Sequence, residues 1–304
     1  MKKLFALVLA LALGLGCLPL TLAAGANERG CLVLGEDLSA AEREKVLEFL
    51  KVDHPDDYQV SYTSNRQEHA ALDDYLGADV VGSRALSSIL LLPRKEGEGI
   101  SVSSYNITYC TVEMYRNALI SAGVKDVSVS IAAPVPVSGT CALLGAMNAY
   151  SLLSGEEIDE KKADAALEEL VTTGDVGELL GDKDTAVQLI AVLKQELAQQ
   201  DLSEEELSAL IDQVSGQMGV RLDEKRKKQV IALLMKLKNT DLDVEGLAEQ
   251  AAGLYEQVSD VLDRLNLRPE KAKGVLEQLD LQPEKAQGVL ERLVQWIRSL
   301  LNQK

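Results

Sequence analysis

The segment Ala133-Pro134-Val135-Pro136-Val137-Ser138-Gly139-Thr140-Cys141 gathers the residue types best able to do chemistry in this chain. A strand that ends in prolines and runs into a helix leaves free N–H groups at the helix start, and the hydroxyls of Ser138 and Thr140 stand beside them. Such an arrangement suits an anion or a substrate carboxylate. Cys141 falls in the first helical turn, where the helix dipole favours thiolate. Ser138, Gly139 and Thr140 are therefore the candidate ligand-binding residues. The competing reading makes Ser138 a helix N-cap and Cys141 a buried thiol, in a helix whose Ala142, Gly145 and Ala146 form a close-packing face. With no histidine nearby in sequence to act as base, that structural reading is preferred and no catalytic residue is assigned.

Other chemistry-bearing patterns are weaker. The chain has no Gly-x-Ser-x-Gly elbow, no Walker loop and no His-Glu-x-x-His, so hydrolase, nucleotide and zinc-protease signatures are missing. His54 and His69 are the only histidines and no Cys-x-x-Cys pair occurs, so neither a metal nor a cofactor is expected. Asp56-Asp57 and Asp73-Asp74 are adjacent acids whose side chains diverge into solvent. Asn106-Ile107-Thr108 matches a glycosylation sequon but reads as part of a strand. Asp241, Asp243, Glu245 and Gly246 imitate the start of a calcium loop, yet its twelfth position is Ala252, which supplies no oxygen.

The compartment follows from the start of the chain. Lys2 and Lys3 precede an apolar run from Leu4 to Leu13, and small residues gather at Ala23 to Ala26. This is the order of a secretory signal peptide over residues 1–26, cleaved around Ala24-Gly25-Ala26. Gly14, Gly16 and Pro19 break the run, so no stable membrane span is expected after signal removal. Gly14 also stands where a lipid-attachment box before Cys17 needs a large aliphatic residue. Cys31, Cys110 and Cys141 remain, which allows one disulfide, with Cys110 and Cys141 as the candidate pair, or three buried thiols.

The formal net charge is −17. Residues 27–154 hold 10 basic and 17 acidic side chains and residues 155–304 hold 19 and 31, so neither half is a basic arm. A nucleic-acid partner is disfavoured throughout.

Seven of the eight tyrosines precede residue 151, and no proline occurs between Pro136 and Pro269. The shift marks a boundary near Ser154-Gly155, between a mixed domain over 27–154 and a helical domain over 155–304. In the first, Gly30 to Leu34 reads as a strand. Ser39 with Glu42 forms a capping box for a helix bearing Val46, Leu47 and Leu50. Tyr58 to Thr63 is a strand, and Asn65 with Glu68 caps a helix running to Gly77. Ala85 to Leu92 is a strand covered on both faces, turned by Arg94 to Gly99 into a partner strand, Ile100 to Tyr109. The parity change along that partner predicts a β-bulge near Ser103. Thr111 to Ala122 is a helix. Val127 to Ile131 is a strand ended by Pro134 and Pro136, before a helix from Ser138 to Ser154. The fold class expected is α+β: a mixed-sheet α/β sandwich followed by an all-α region.

The helical region repeats one entry device, Asp201-Leu202-Ser203, Asp241-Leu242-Asp243 and Asp280-Leu281-Gln282, with Ser203 and Glu206 as a capping box. From Leu247, apolar residues at Ala251, Leu254, Val258, Val261 and Leu265 make a coiled-coil-like seam. It leads into a tandem repeat of period 14 at 265–292, with 10 of 14 positions identical. Two units are few for a solenoid, so the repeat reads as a self-packing bundle or as a stalk for a partner.

The residues Gly82-Ser83-Arg84-Ala85-Leu86-Ser87-Ser88, Gly99-Ile100-Ser101-Val102, Asn106-Ile107-Thr108, Met114-Tyr115-x-Asn117-Ala118-Leu119, Ala122-Gly123-Val124-x-Asp126 and Ala132-Ala133-Pro134-x-Pro136-Val137-Ser138-Gly139-Thr140 resemble the exported domain-of-unknown-function family one-thousand-and-two of Gram-positive, Firmicutes-type bacteria. The resemblance covers most of residues 30–260 and is specific across 80–142. It implies an extracytoplasmic, envelope-associated protein without an established activity, and carries no catalytic residues over. The family's small residues where Cys110 and Cys141 stand argue against an ancestral thiol mechanism.

The expectation is a secreted, non-enzymatic binding or scaffolding protein of the cell envelope. Its mixed head would recognise a ligand and its C-terminal helices an envelope protein partner. The alternative is an exported hydrolase or transferase using the junction around Ser138.

Overall fold

The computed structural model describes residues 29–240. The expected signal peptide at 1–26, the calcium-like pattern from Asp241, the expected seam from Leu247 and the repeat at 265–292 lie outside the described residues.

The apolar run before the charged turn at Arg94 forms the centre of the sheet. Strand β3 (Ser88–Pro93) is flanked on one side by β1 (Cys31–Gly35) and on the other by β5 (Val127–Val137). β2 (Gln59–Thr63) lies beyond β1 and β4 (Ser101–Ile107) beyond β5, giving the order β2-β1-β3-β5-β4. β1 pairs with β2, and β4 with β5, in parallel, whereas both neighbours of β3 run antiparallel to it. The sheet is mixed, as expected, but β3 and β4 are not hairpin partners. β5 inserts between them and aligns Ser101 with Ser128.

Two further strand expectations are corrected. The bulge lies at Asn106, where φ is 59°, rather than near Ser103. There β4 advances from Tyr105 to Ile107 while β5 advances from Ala132 to Val137. Pro134 and Pro136 fall in this bulged stretch, past Ala132, the last β5 residue paired with β3. Missing N–H groups interrupt no regular ladder there, so the strand continues through both prolines.

Helix α1 (Ala40–Leu50) covers one face of the sheet through Val46 and Leu50 on Leu32, Leu34, Leu90 and Ala132. The expected Ser39–Glu42 capping box is present. The opposite face carries α2 (Asn65–Leu72), a single turn α3 (Ala78–Val81), α4 (Val112–Ser121) and α5 (Thr140–Ser154). Cys31, Val33, Ile89, Leu91, Val129 and Ile131 meet Leu72, Met114, Leu119, Leu143 and Ala146 in the main core. Burying side chains of this size stabilises by roughly 1.5–3 kcal/mol each before chain entropy is counted.

Gly155 ends α5 in the left-handed conformation. Four helices follow: α6 (Glu160–Leu180), α7 (Lys183–Gln199), α8 (Glu204–Gln217) and α9 (Glu224–Lys238). Aspartates 159, 182 and 223 and Ser203 supply their N-caps, Ser203 in the expected box with Glu206. The head's core continues into this part through Ala166, Leu167, Leu170, Val171 and Val187, while a second cluster joins α6 to α9 around Leu189, Leu193, Ile211 and Leu234. Between α4, α6 and α7 lies a buried ion pair: Lys194 Nζ stands 2.7 Å from Glu169 Oε1 and donates to the Asn117 carbonyl at 3.1 Å. Ser121 donates to the other Glu169 oxygen. Among the described residues no helix is long and apolar enough to cross a membrane.

Candidate functional site

Strand β5 delivers its C-terminal end to α5 through Gly139, whose φ of 92° a side chain rarely adopts. Space excludes one as well: a Cβ at Gly139 would sit 2.3 Å from the Tyr115 hydroxyl oxygen and 2.5 Å from Ile107 Cγ2. The buried Tyr115 on α4 donates its hydroxyl to the Gly139 carbonyl at 2.6 Å. Gly139, not Ser138, is thus the N-cap of α5, and it offers no side-chain hydrogen bond to the first turn. That turn is completed from elsewhere in the chain.

The completing group is Glu68 on α2. Its carboxylate accepts from Thr140 Oγ1 at 2.6 Å, the Cys141 backbone N–H adds to its stabilisation, and the residue is only 2 % exposed. The helix start expected to receive an external anion is already occupied by the protein's own carboxylate. The pattern Asn65-x-x-Glu68 suggested a cap, but Ser64 caps α2 in a box with Gln67. This register turns Glu68 inward, on the same helical face as Leu72. The sequence reading, which placed Glu68 in a cap with Asn65, missed this role.

Burial pushes the Glu68 pKa up, against the pull of hydrogen bonds from Thr140 and Asn65, the charge of His69 and the Cys141 N–H. His69 is itself held between two acceptors: Nδ1 lies 2.6 Å from Asp73 Oδ1 and Nε2 lies 2.9 Å from the Gly82 carbonyl. With an acceptor at each nitrogen the ring is stabilised as imidazolium, and the Asp73 carboxylate leads the upward shift of its pKa.

A pocket of about 340 Å³ opens beside this carboxylate. The segment Val80 to Ser87 forms one wall and Val135 to Gly139 the other, with the nearly inaccessible Glu68 and Cys141 deep between them. The wall residue Arg84 is committed elsewhere, donating to both Glu42 oxygens at 3.1 and 2.7 Å and to the Asp37 carbonyl at 2.7 Å. That pairing, with the Ser39 backbone N–H, lowers the Glu42 pKa to about 2. Arg84 is therefore not free to pair with Glu68 across the pocket.

Of the expected site residues, Ser138 and Gly139 line the pocket. Thr140 is fully buried behind them and acts through Glu68, while Ser138 Oγ lies 3.2 Å from Thr140 Oγ1. Cys110 and Cys141 are both buried free thiols in this structure rather than the expected pair. Burial raises the Cys110 pKa to about 12 and, together with the Glu68 charge, pushes Cys141 up as well. Cys141 is thus the buried thiol that the sequence reading preferred over a dipole-activated thiolate. Among the described residues no group of three or more His, Cys, Asp or Glu is placed to hold a metal ion.

A family model described as a protein of unknown function, DUF1002, matches residues 34–254. A curated relative, the uncharacterized protein YpuA of Bacillus subtilis (strain 168), is 37% identical over 267 residues, which is 87% of each chain. No solved structure matches the chain. The family match spans the sheet from the end of β1 onward, the Glu68 pocket and the four helices after α5, and on that extent this chain belongs to the DUF1002 family.

Proposed function

We propose that the protein is exported and acts as a non-enzymatic binding or scaffolding protein of the bacterial cell envelope. Its mixed head would hold a small ligand that presents an N–H, O–H or cationic group to Glu68, and its C-terminal helices would dock an envelope protein. The single observation carrying the ligand reading is the buried Glu68 carboxylate beside an open pocket, at 2.6 Å from Thr140 and with no cation paired to it in the pocket wall. Export is supported by the order Lys2-Lys3, apolar run and small residues at the chain's start.

A carboxylate there rewards donors and rejects anions, since a second negative charge at short range costs several kcal/mol at low effective dielectric. Ser138 at the rim would add one hydroxyl contact. A thermal-shift panel of amines, amino acids and polyols on protein lacking residues 1–26 tests this. Stabilising compounds should be donors, and their effect should vanish in Glu68→Gln. A panel in which only anions stabilise, equally in both proteins, would refute it. Cell fractionation tests export, which fails if unprocessed chain accumulates in the cytosol.

One geometric fact favours a second reading, hydrolysis or group transfer at Ser138. The hydroxyls of Ser138 and Thr140 and the Glu68 carboxylate form a continuous path along which a Ser138 proton would pass to Glu68 by way of Thr140. Covalent labelling of wild type by a fluorophosphonate, lost in both Ser138→Ala and Glu68→Gln, would favour this reading over simple binding.

A further inference from the structure

The lining of the Glu68 pocket is more selective than a general donor site requires. Val80, Val81 and Leu86, from the segment before β3, and Val135, Pro136 and Val137, from the end of β5, give it aliphatic walls. Val135 is 44 % exposed whereas Val81 and Glu68 are buried, so the apolar lining leads from an open mouth inward to the carboxylate. Among the described residues no aromatic ring lines the pocket. Its volume of about 340 Å³ lies at the small end of the range for small-molecule sites.

A buried carboxylate is costly unless a cation or several donors compensate it. Two cations lie close, and both are spent elsewhere. His69 turns one ring nitrogen to Asp73 and the other to the Gly82 carbonyl, and Arg84 gives its terminal nitrogens to Glu42 and the Asp37 carbonyl. Burial accordingly dominates at Glu68 and pushes its pKa up. An incoming ammonium supplies the opposite charge together with a charge-assisted hydrogen bond, roughly twice as strong as the bond from a neutral hydroxyl. Ser87 and Ser138 also line the pocket, and their oxygens can accept the remaining N–H groups.

We infer that the pocket takes a primary alkylammonium, with its charged end on Glu68 and an unbranched aliphatic stem along the walls of Val80, Val81, Leu86 and Val135. The inference rests on reading Glu68 as a ligand-binding carboxylate and narrows that reading to one chemical class. Other cations fit less well. A flat guanidinium takes both carboxylate oxygens side by side, and here Oε1 already accepts from Thr140 at 2.6 Å. A quaternary ammonium has no N–H to donate and depends on aromatic faces that this lining lacks. A free amine and a lysine side chain share the favoured chemistry.

The test is an NMR-detected titration of protein carrying residues 27–304 in phosphate buffer at pH 7, comparing n-pentylamine with pentan-1-ol, pentyltrimethylammonium and pentylguanidine. Pentylamine should bind at least tenfold more tightly than each of the other three, and Glu68→Gln should abolish its advantage over the alcohol. Pentylamine should also exceed propylamine by about fourfold or more, because added methylenes are buried along the walls. Val135→Ser, at an exposed position that leaves the core intact, should shrink that gain while the preference for amine over alcohol persists. Nα-acetyl-lysine methylamide binding as tightly as pentylamine would point to a lysine carried by a polypeptide, and weaker binding to a free amine; either result keeps the class. Equal binding of amine and alcohol, both lost in Glu68→Gln, overturns the ammonium assignment and leaves Glu68 as a site for neutral donors. Tighter binding of the guanidine or the quaternary ammonium overturns it too. Amine binding that survives in Glu68→Gln would be the general attraction of cations to a chain of net charge −17, and it overturns both readings, as does failure of every compound to bind.

Discussion

Glu68 and Thr140, 72 positions apart in the chain, meet at 2.6 Å to close the first turn of α5. This one contact ties α2 to the end of β5, and it sets both the charge and the depth of the pocket. Removing the donor while keeping the shape, as in Thr140→Val, leaves a buried carboxylate with one hydrogen bond fewer. The expected cost is about 1–3 kcal/mol in urea unfolding. A variant as stable as wild type would show that the contact contributes nothing.

The pH dependence follows from the same carboxylate. Its folded pKa lies above the ordinary glutamate value, so the folded state binds the proton more tightly than the unfolded chain. Its contribution to stability is fully present below the unfolded pKa and is lost as pH rises through the folded pKa. Glu68→Gln cannot ionise, so between pH 4 and 8 its stability should gain on wild type as pH rises. A constant difference across that range contradicts the raised pKa.

Glu42 has the opposite sign. Its pKa is lowered from 4.5 to about 2 by Arg84 and Ser39, so its contribution is present above pH 4.5 and disappears on acidification towards pH 2. The stability difference between wild type and Glu42→Gln should shrink over that interval. Because the pair lies at the surface, the difference should also shrink in high salt.

Local capping is the part of this fold most legible in sequence. Ser39 with Glu42 and Ser203 with Glu206 form the boxes their spacing predicts, because a box involves only four consecutive residues. The strand order was not legible. Placing β5 between β3 and β4 depends on pairing Ser101 with Ser128, and no local pattern distinguishes that from a hairpin through Arg94 to Gly99. The site was half legible. Ser138, Gly139 and Thr140 were marked by their position before a helix, but Glu68 was not. Asn65-x-x-Glu68 and Ser64-x-x-Gln67 are both acceptable caps locally, and only packing against α5 selects the second.

The ion pair between Lys194 and Glu169 is entirely enclosed, and it joins α7 to α6 under Asn117 and Ser121 of α4. Lys194→Met should destabilise by roughly 3–5 kcal/mol, because it strands a buried charge. Lys194→Met combined with Glu169→Leu should recover most of that loss. Chemical denaturation of the three proteins checks it, and additive losses would mean that the two groups are not coupled.

The central claim is that a ligand places a donor against the Glu68 carboxylate, and carbon-detected NMR of that carboxyl group tests it most directly. Protein labelled at glutamate side chains would be titrated with the amines and polyols that stabilise it, beside Glu68→Gln to assign the signal. The account expects each binder to move the Glu68 resonance and to bind Glu68→Gln at least tenfold more weakly. Binders that leave that resonance in place and bind both proteins equally would contradict it.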